Sequence, residues 1–204
     1  FEDTWKSMFT YTDAIDTLYE MVLQVEDLRA APELVALAVN LTQNSKNAEA
    51  MVAGERFQAL LAHAIEHRDD LCFKIVRNIS QHEGKSLKLR FRGFLDSLVE
   101  ILKSPDSAPE LAVEVLGTLG NLAIPEFDYA ELIAKHDLLP FLAAFLQPDA
   151  QYGVVEDDIL LEVVIFVGTV CTAGTAGSVA DAGLPGLLFS LLGEKKEDDE
   201  MVLQ

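Results

Sequence analysis

One pattern constrains this chain more than any other: apolar-x-x-apolar-x-Asn-apolar, which closes on Asn40-Leu41, Asn78-Ile79 and Asn121-Leu122. A fourth copy, VVIFVGTV, carries Thr169 in the Asn position. The copies are 38 residues apart from Asn40 to Asn78 and 43 apart from Asn78 to Asn121. Apolar residues at steps of three and four mark one face of a helix. A recurrence near 40 residues is the period of repeats built from two or three helices. One such unit cannot bury its own apolar face, so neighbouring units stack on a continuous core and function falls on a long surface.

The fold class expected is therefore all-α, a right-handed α-solenoid of armadillo repeats with about four full repeats and a truncated fifth. Residues 1–204 are expected to form one continuous segment, with approximate repeats at 1–44, 45–83, 84–125, 126–173 and 174–204. The chain opens on Phe1-Glu2-Asp3 and stops at Met201-Val202-Leu203-Gln204, in what reads as an unfinished helix, so the expectation is a fragment of a longer solenoid.

Bulk properties narrow the function. Half of the residues are hydrophobic, enough for a sizeable core. A net charge of −19 excludes a general nucleic-acid binder, which needs clustered Lys and Arg to neutralise phosphates, and favours a basic or mixed-charge protein partner. The longest apolar run, Ile159 to Cys171, is interrupted by Glu162 and falls short of the roughly 20 residues a bilayer requires, so no membrane insertion is expected. Cys72 and Cys171 stand far apart in apolar stretches and read as reduced, packed thiols in an intracellular setting.

Helix signals follow the repeat. Ala31-Pro32-Glu33-Leu34 and Ala108-Pro109-Glu110-Leu111 each open a helix, because proline suits a first turn that needs no N–H and an acid there favours the helix dipole. Glu156-Asp157-Asp158 and Glu197-Asp198-Asp199, 41 residues apart, mark two further helix starts. The run ILLEVVIFVGTV has strand-like composition but exceeds ordinary strand length, and its repeat register predicts a buried inner helix. Gly120 and Gly168 precede the ladder position, where close approach of an adjacent helix is the expected compensation for their low helix propensity.

No catalytic constellation assembles, so an enzyme is not expected, nor is a cofactor. His63 and His67 have a metal-compatible i, i+4 spacing but no third ligand, and HAIEH lacks the glutamate of a zinc-protease motif. The glycines of GTAGSVADAG lack a phosphate-binding lysine and read as a turn between repeats.

What remains is the inner helix row. At 100° per residue, positions four and seven before each ladder residue share its face. These place Ala36 and Glu33 with Asn40, Lys74 and Leu71 with Asn78, Gly117 and Glu114 with Asn121, and Ile165 and Glu162 with Thr169. An asparagine amide can pair the backbone of an extended peptide while the glutamates select Lys or Arg on it. The competing reading has the asparagines holding their own helix ends. The candidate protein-binding groove is thus Asn40, Lys74, Asn78, Glu114, Asn121, Glu162 and Thr169, with no metal ligand among them.

Four segments add a resemblance: IVRNISQHEG (Ile75 to Gly84), VLGTLGNLAIPEFDYAEL (Val115 to Leu132), EDDILLEVVIFVGTV (Glu156 to Val170) and EDDEMV (Glu197 to Val202). Over essentially its whole length the chain resembles kinesin-associated protein, the armadillo subunit of heterotrimeric kinesin-2. The resemblance implies a non-catalytic adaptor that binds the tails of the kinesin-2 motor heterodimer. It would link them to cargo, including intraflagellar transport proteins, in the cytoplasm, on the cytoskeleton and in the cilium or flagellum. The chain departs from animal members in its Ala and Gly richness and in Gln151 to Val155, which lengthen a turn. An armadillo scaffold of nuclear import or adhesion is the alternative. Import receptors set tryptophans beside their asparagines, however, and Trp5 lies outside every ladder helix, while adhesion scaffolds offer a basic groove.

Overall fold

The computed structural model describes residues 2–25, 28–147 and 156–204, the first three as backbone alone. Its regular elements among these residues are all helical, and the chain divides into two compact units, Phe1–Gly93 and Phe94–Gln204. The division falls within the expected third repeat, 84–125. Gln151 to Val155 lie outside the described residues. No described helix is long and apolar enough to cross a membrane.

In unit 1 the helices are α1 (Glu2–Met8), α2 (Ala14–Gln24), α3 (Pro32–Thr42), α4 (Ser45–Met51), α5 (Arg56–His67), α6 (Asp70–Ser80) and α7 (Lys85–Lys88), the last continued by a 3-10 segment, Leu89–Phe94. Pro32 occupies the first turn of α3 as expected. Asp69 starts α6 by accepting from the amides of Leu71 at 2.9 Å and Cys72 at 3.1 Å, which satisfies donors that no preceding turn can reach. Just before it, Arg68 turns the chain through the left-handed region (φ 49°) to end α5.

The core of unit 1 lies between α3, α5 and α6. Phe57, Leu60 and Leu61 from α5 and Phe73, Ile75, Val76 and Ile79 from α6 are fully buried. Phe57 meets Phe91 edge to face, with ring centroids 4.6 Å apart, and so ties the 3-10 segment to α5. Such a pair contributes ~0.5–1.5 kcal/mol beyond its buried area. At the other end, Asn47 is wholly buried and donates to the carbonyls of Lys6 at 2.8 Å and Leu41 at 3.1 Å while accepting from the Thr10 hydroxyl at 2.6 Å. One amide thereby fixes α1 and the turn after it against α3 and α4.

Unit 2 contains α8 (Leu95–Lys103), α9 (Pro109–Gly120), α10 (Tyr129–His136), α11 (Leu138–Phe145), α12 (Asp157–Val170), α13 (Ala176–Asp181), α14 (Leu184–Glu194) and α15 (Asp199–Leu203). The β-branched run is helical, as its length predicted: α12 buries Val163, Phe166, Val167 and Val170. Its most extensive contact is with α9. The glycine-rich stretch turns at both ends, at Gly174-Thr175 and at Ala182-Gly183 (Gly183 φ 74°), and its middle is the short helix α13. Tyr129 anchors the loop after α9 by donating its hydroxyl to the Leu122 carbonyl at 2.5 Å, and burial raises its pKa above the ordinary phenol value.

Candidate protein-binding surface

The helices that carry the ladder positions pack on one another within each unit: α3 with α6, and α9 with α12. Asn78, 9% exposed, donates both amide hydrogens to α3, one to the Val39 carbonyl at 2.8 Å and one to the Thr42 hydroxyl at 2.8 Å. Thr169, also 9% exposed, donates to the Gly120 carbonyl of α9 at 2.7 Å. Val39 immediately precedes Asn40, and Gly120 immediately precedes Asn121. The same bond therefore recurs in both units: a ladder side chain reaches the carbonyl one residue before the ladder residue of the preceding inner helix. The bond holds the paired helices of each unit in register, and it commits donors that an external peptide would otherwise use.

Asn40 behaves differently. It is exposed and donates to the Ala36 carbonyl of its own helix at 2.8 Å, the local bond expected of an amide without a neighbour. Asn121 is half-buried at the C-terminal cap of α9. Lys74 is exposed on α6. Glu114 and Glu162 are 9% and 5% exposed, each seven residues before its ladder residue. The two glutamates thus belong to adjacent helices that the Thr169–Gly120 bond joins.

The two glycines beside the ladder diverge. A Cβ on Gly120 would lie 2.9 Å from Ile165 Cγ2, so here the close approach of a neighbouring helix is real. At Gly168 the same test meets nothing within 4 Å, and the residue is exposed. The expectation of close packing at Gly168 is thus corrected. It lies on the open side of α12, where a small side chain is not sterically required.

Two supports of this surface escaped sequence reading. The Thr42 hydroxyl, fully buried, donates to the Ala38 carbonyl at 2.7 Å while accepting from Asn78. His82 Nε2 donates to the Thr42 carbonyl at 2.6 Å, closing the end of α3. The only signal was the position of His82 four residues after Asn78, one helical turn.

Other polar clusters are local. His63 and His67 stack edge to face at 4.3 Å, and burial, then the neighbouring His67, lowers the pKa of His63 below 6.5. Among the described residues no group of three or more His, Cys, Asp or Glu is placed to hold a metal ion. Cys72 is buried and its thiol is pushed up to about 12, chiefly by burial, whereas Cys171, expected to be packed, is exposed just past the end of α12. Asp96 on α8 accepts from Lys135 Nζ and His136 Nε2 on α10, each at 2.7 Å, and these two, Lys135 first, hold its carboxyl below the usual range.

Packed helices joined by polar side chains of their ladder positions are consistent with an α-solenoid scaffold. The family profile described as Kinesin-associated protein (KAP) matches residues 1–204, the entire chain, and the chain belongs to that family of kinesin-associated adaptors. No solved structure matches it.

Proposed function

We propose that the chain is a non-catalytic adaptor segment of heterotrimeric kinesin-2 that engages the tails of the motor heterodimer and links them to cargo. Intraflagellar transport proteins are the cargo class that this reading favours, which places the protein on cytoplasmic and ciliary microtubules. The observation that carries the proposal is the family match over residues 1–204, a family defined by association with kinesin. The acidic balance of the chain supports a basic or mixed-charge partner.

The contact surface is read as two local rows, Asn40, Lys74 and Asn78 in unit 1 and Glu114, Asn121, Glu162 and Thr169 in unit 2. Asn40 and Lys74 are the open members. Asn78 and Thr169 act through the register of the helices that present the others.

The test is fluorescence anisotropy of a labelled kinesin-2 heterodimer tail titrated with this chain at low and physiological salt. Saturable binding that weakens with salt is expected. Exchanging Glu114 and Glu162 for Gln, which removes charge at constant volume, is expected to lower affinity and flatten the salt dependence. Unchanged affinity would remove the glutamates from the surface, and absence of binding by a folded helical protein would remove tail docking from these repeats.

A further inference from the structure

The basic residues are unevenly distributed. Residues 1–93 hold 11 of the 15 Lys and Arg and 14 of the 34 Asp and Glu, a net of −3, so residues 94–204 carry −16. Within unit 1, Lys85, Lys88, Arg90 and Arg92 fall in eight consecutive residues, and no acid intervenes between Glu83 and Asp96.

Folding turns this run into a surface. Leu87 and Phe91, 6% and 0% exposed, pin α7 and the 3-10 segment to the core, while Lys85 and Arg92 remain exposed and Lys88 and Arg90 half-buried. Where the segment passes α5, a hollow of about 700 Å³ opens, lined by Gln58, Lys85, Ser86, Leu89 and Arg90. Arg90 Nη1 donates to the Gly54 carbonyl at 3.0 Å, and Gly54 adopts the left-handed turn (φ 59°) that presents it. The guanidinium is thereby held at the rim.

Two cations, a hydroxyl and a side-chain amide around a leucine suit carboxylates spaced along a peptide. A planar guanidinium pairs a carboxylate through two parallel bonds, and the amide and hydroxyl can serve the peptide backbone. The hollow is too large and open for a single small anion. Leu87 and Phe91 are buried and Leu89 is half-buried, so the segment projects no fully exposed large apolar side chain, which disfavours a lipid surface. None of the residues that line the hollow is an aromatic that could stack on a base.

We propose that the hollow between α5 and the α7 segment docks an acidic segment of a partner protein, with Lys85 and Arg90 pairing its carboxylates. The overall charge of −19 does not prevent this. At physiological ionic strength the screening length is about 8 Å, so the nearby cations dominate the field that a docked carboxylate feels. The site is independent of the kinesin-tail reading and stands or falls separately.

The experiment titrates the protein into a short fluorescein-labelled peptide of alternating Glu and Ser, beside its Gln-for-Glu counterpart, and reads anisotropy. Saturable binding of the acidic peptide alone is expected, weakened about tenfold or more by Lys85→Glu through like-charge repulsion. Lys46→Glu, a charge reversal at an exposed residue of α4 that does not line the hollow, is expected to leave it unchanged. Thermal unfolding followed by circular dichroism establishes that both variants remain folded. No binding, equal weakening by Lys46→Glu, or preference for phosphatidylserine vesicles over the peptide would overturn the proposal.

Discussion

Gly120 and Gly168 occupy the same place in the repeat and have opposite prospects. Gly120→Ala drives a methyl group toward Ile165 Cγ2, a β-branched side chain with little freedom to yield, and is expected to cost ~1–3 kcal/mol. Gly168→Ala meets no neighbour and gains helix propensity, an expected stabilisation of ~0.5–1 kcal/mol. Urea unfolding midpoints of the two variants should therefore move in opposite directions. The ladder asparagines divide in the same way. Asn78→Ala removes two bonds that join α6 to α3 in a buried setting and is expected to cost ~1–3 kcal/mol, whereas Asn40→Ala, losing one exposed local bond, is expected to stay within about 0.5 kcal/mol.

Histidine titration at this scale has a defined sign. Burial and His67 lower the folded pKa of His63, so the unfolded chain takes up a proton first as pH falls through about 6.5. The neutral imidazole contributes stability above that value and loses it below. Comparing urea midpoints at about pH 7.5 and about pH 5.5, the decline on acidification is expected to be shallower in His63→Gln than in the parent. An identical decline would assign the pH dependence to other groups.

At the scale of the element, most helices were legible because caps, proline starts and apolar spacing agreed. Pro32 and Pro109 each open a helix as the sequence predicts, and the β-branched α12 obeys its length over its composition. The basic stretch after Gly84 was not foreseen as helical. Its helix is four residues long, with no capping side chain, and Leu87 and Phe91 hold it against the core instead. Helix α6 offers the converse test, since its start depends on a local cap. Asp69→Ala is expected to cost ~0.5–2 kcal/mol and to speed hydrogen exchange at the Leu71 and Cys72 amides before other positions in unit 1. Exchange that rises uniformly over the unit would instead indicate that the cap stabilises only the global fold.

For the molecule as a whole, charge is the distinguishing property. Unit 2 has four basic residues against twenty acids, and its ion pairs Lys135–Asp96 and Lys195–Asp157 are partly exposed and screened by solvent, so they contribute little. Self-repulsion among the surplus acids outweighs them, so added NaCl is expected to raise the unfolding temperature in scanning calorimetry. A fall with salt would mean that the pairs prevail. The period near 40 residues, the all-helical class, the helix starts and the family were determined by the sequence alone, because each follows from spacing along the chain or from residue types with one strong local preference. Only the tertiary structure decided that Asn78 and Thr169 turn their donors onto the preceding helix, that Glu114 and Glu162 lie buried, and that Gly120 is crowded while Gly168 is open. Helical periodicity gives the direction of a side chain but not the distance of the next helix, and that distance settles whether a polar group meets a neighbour or solvent.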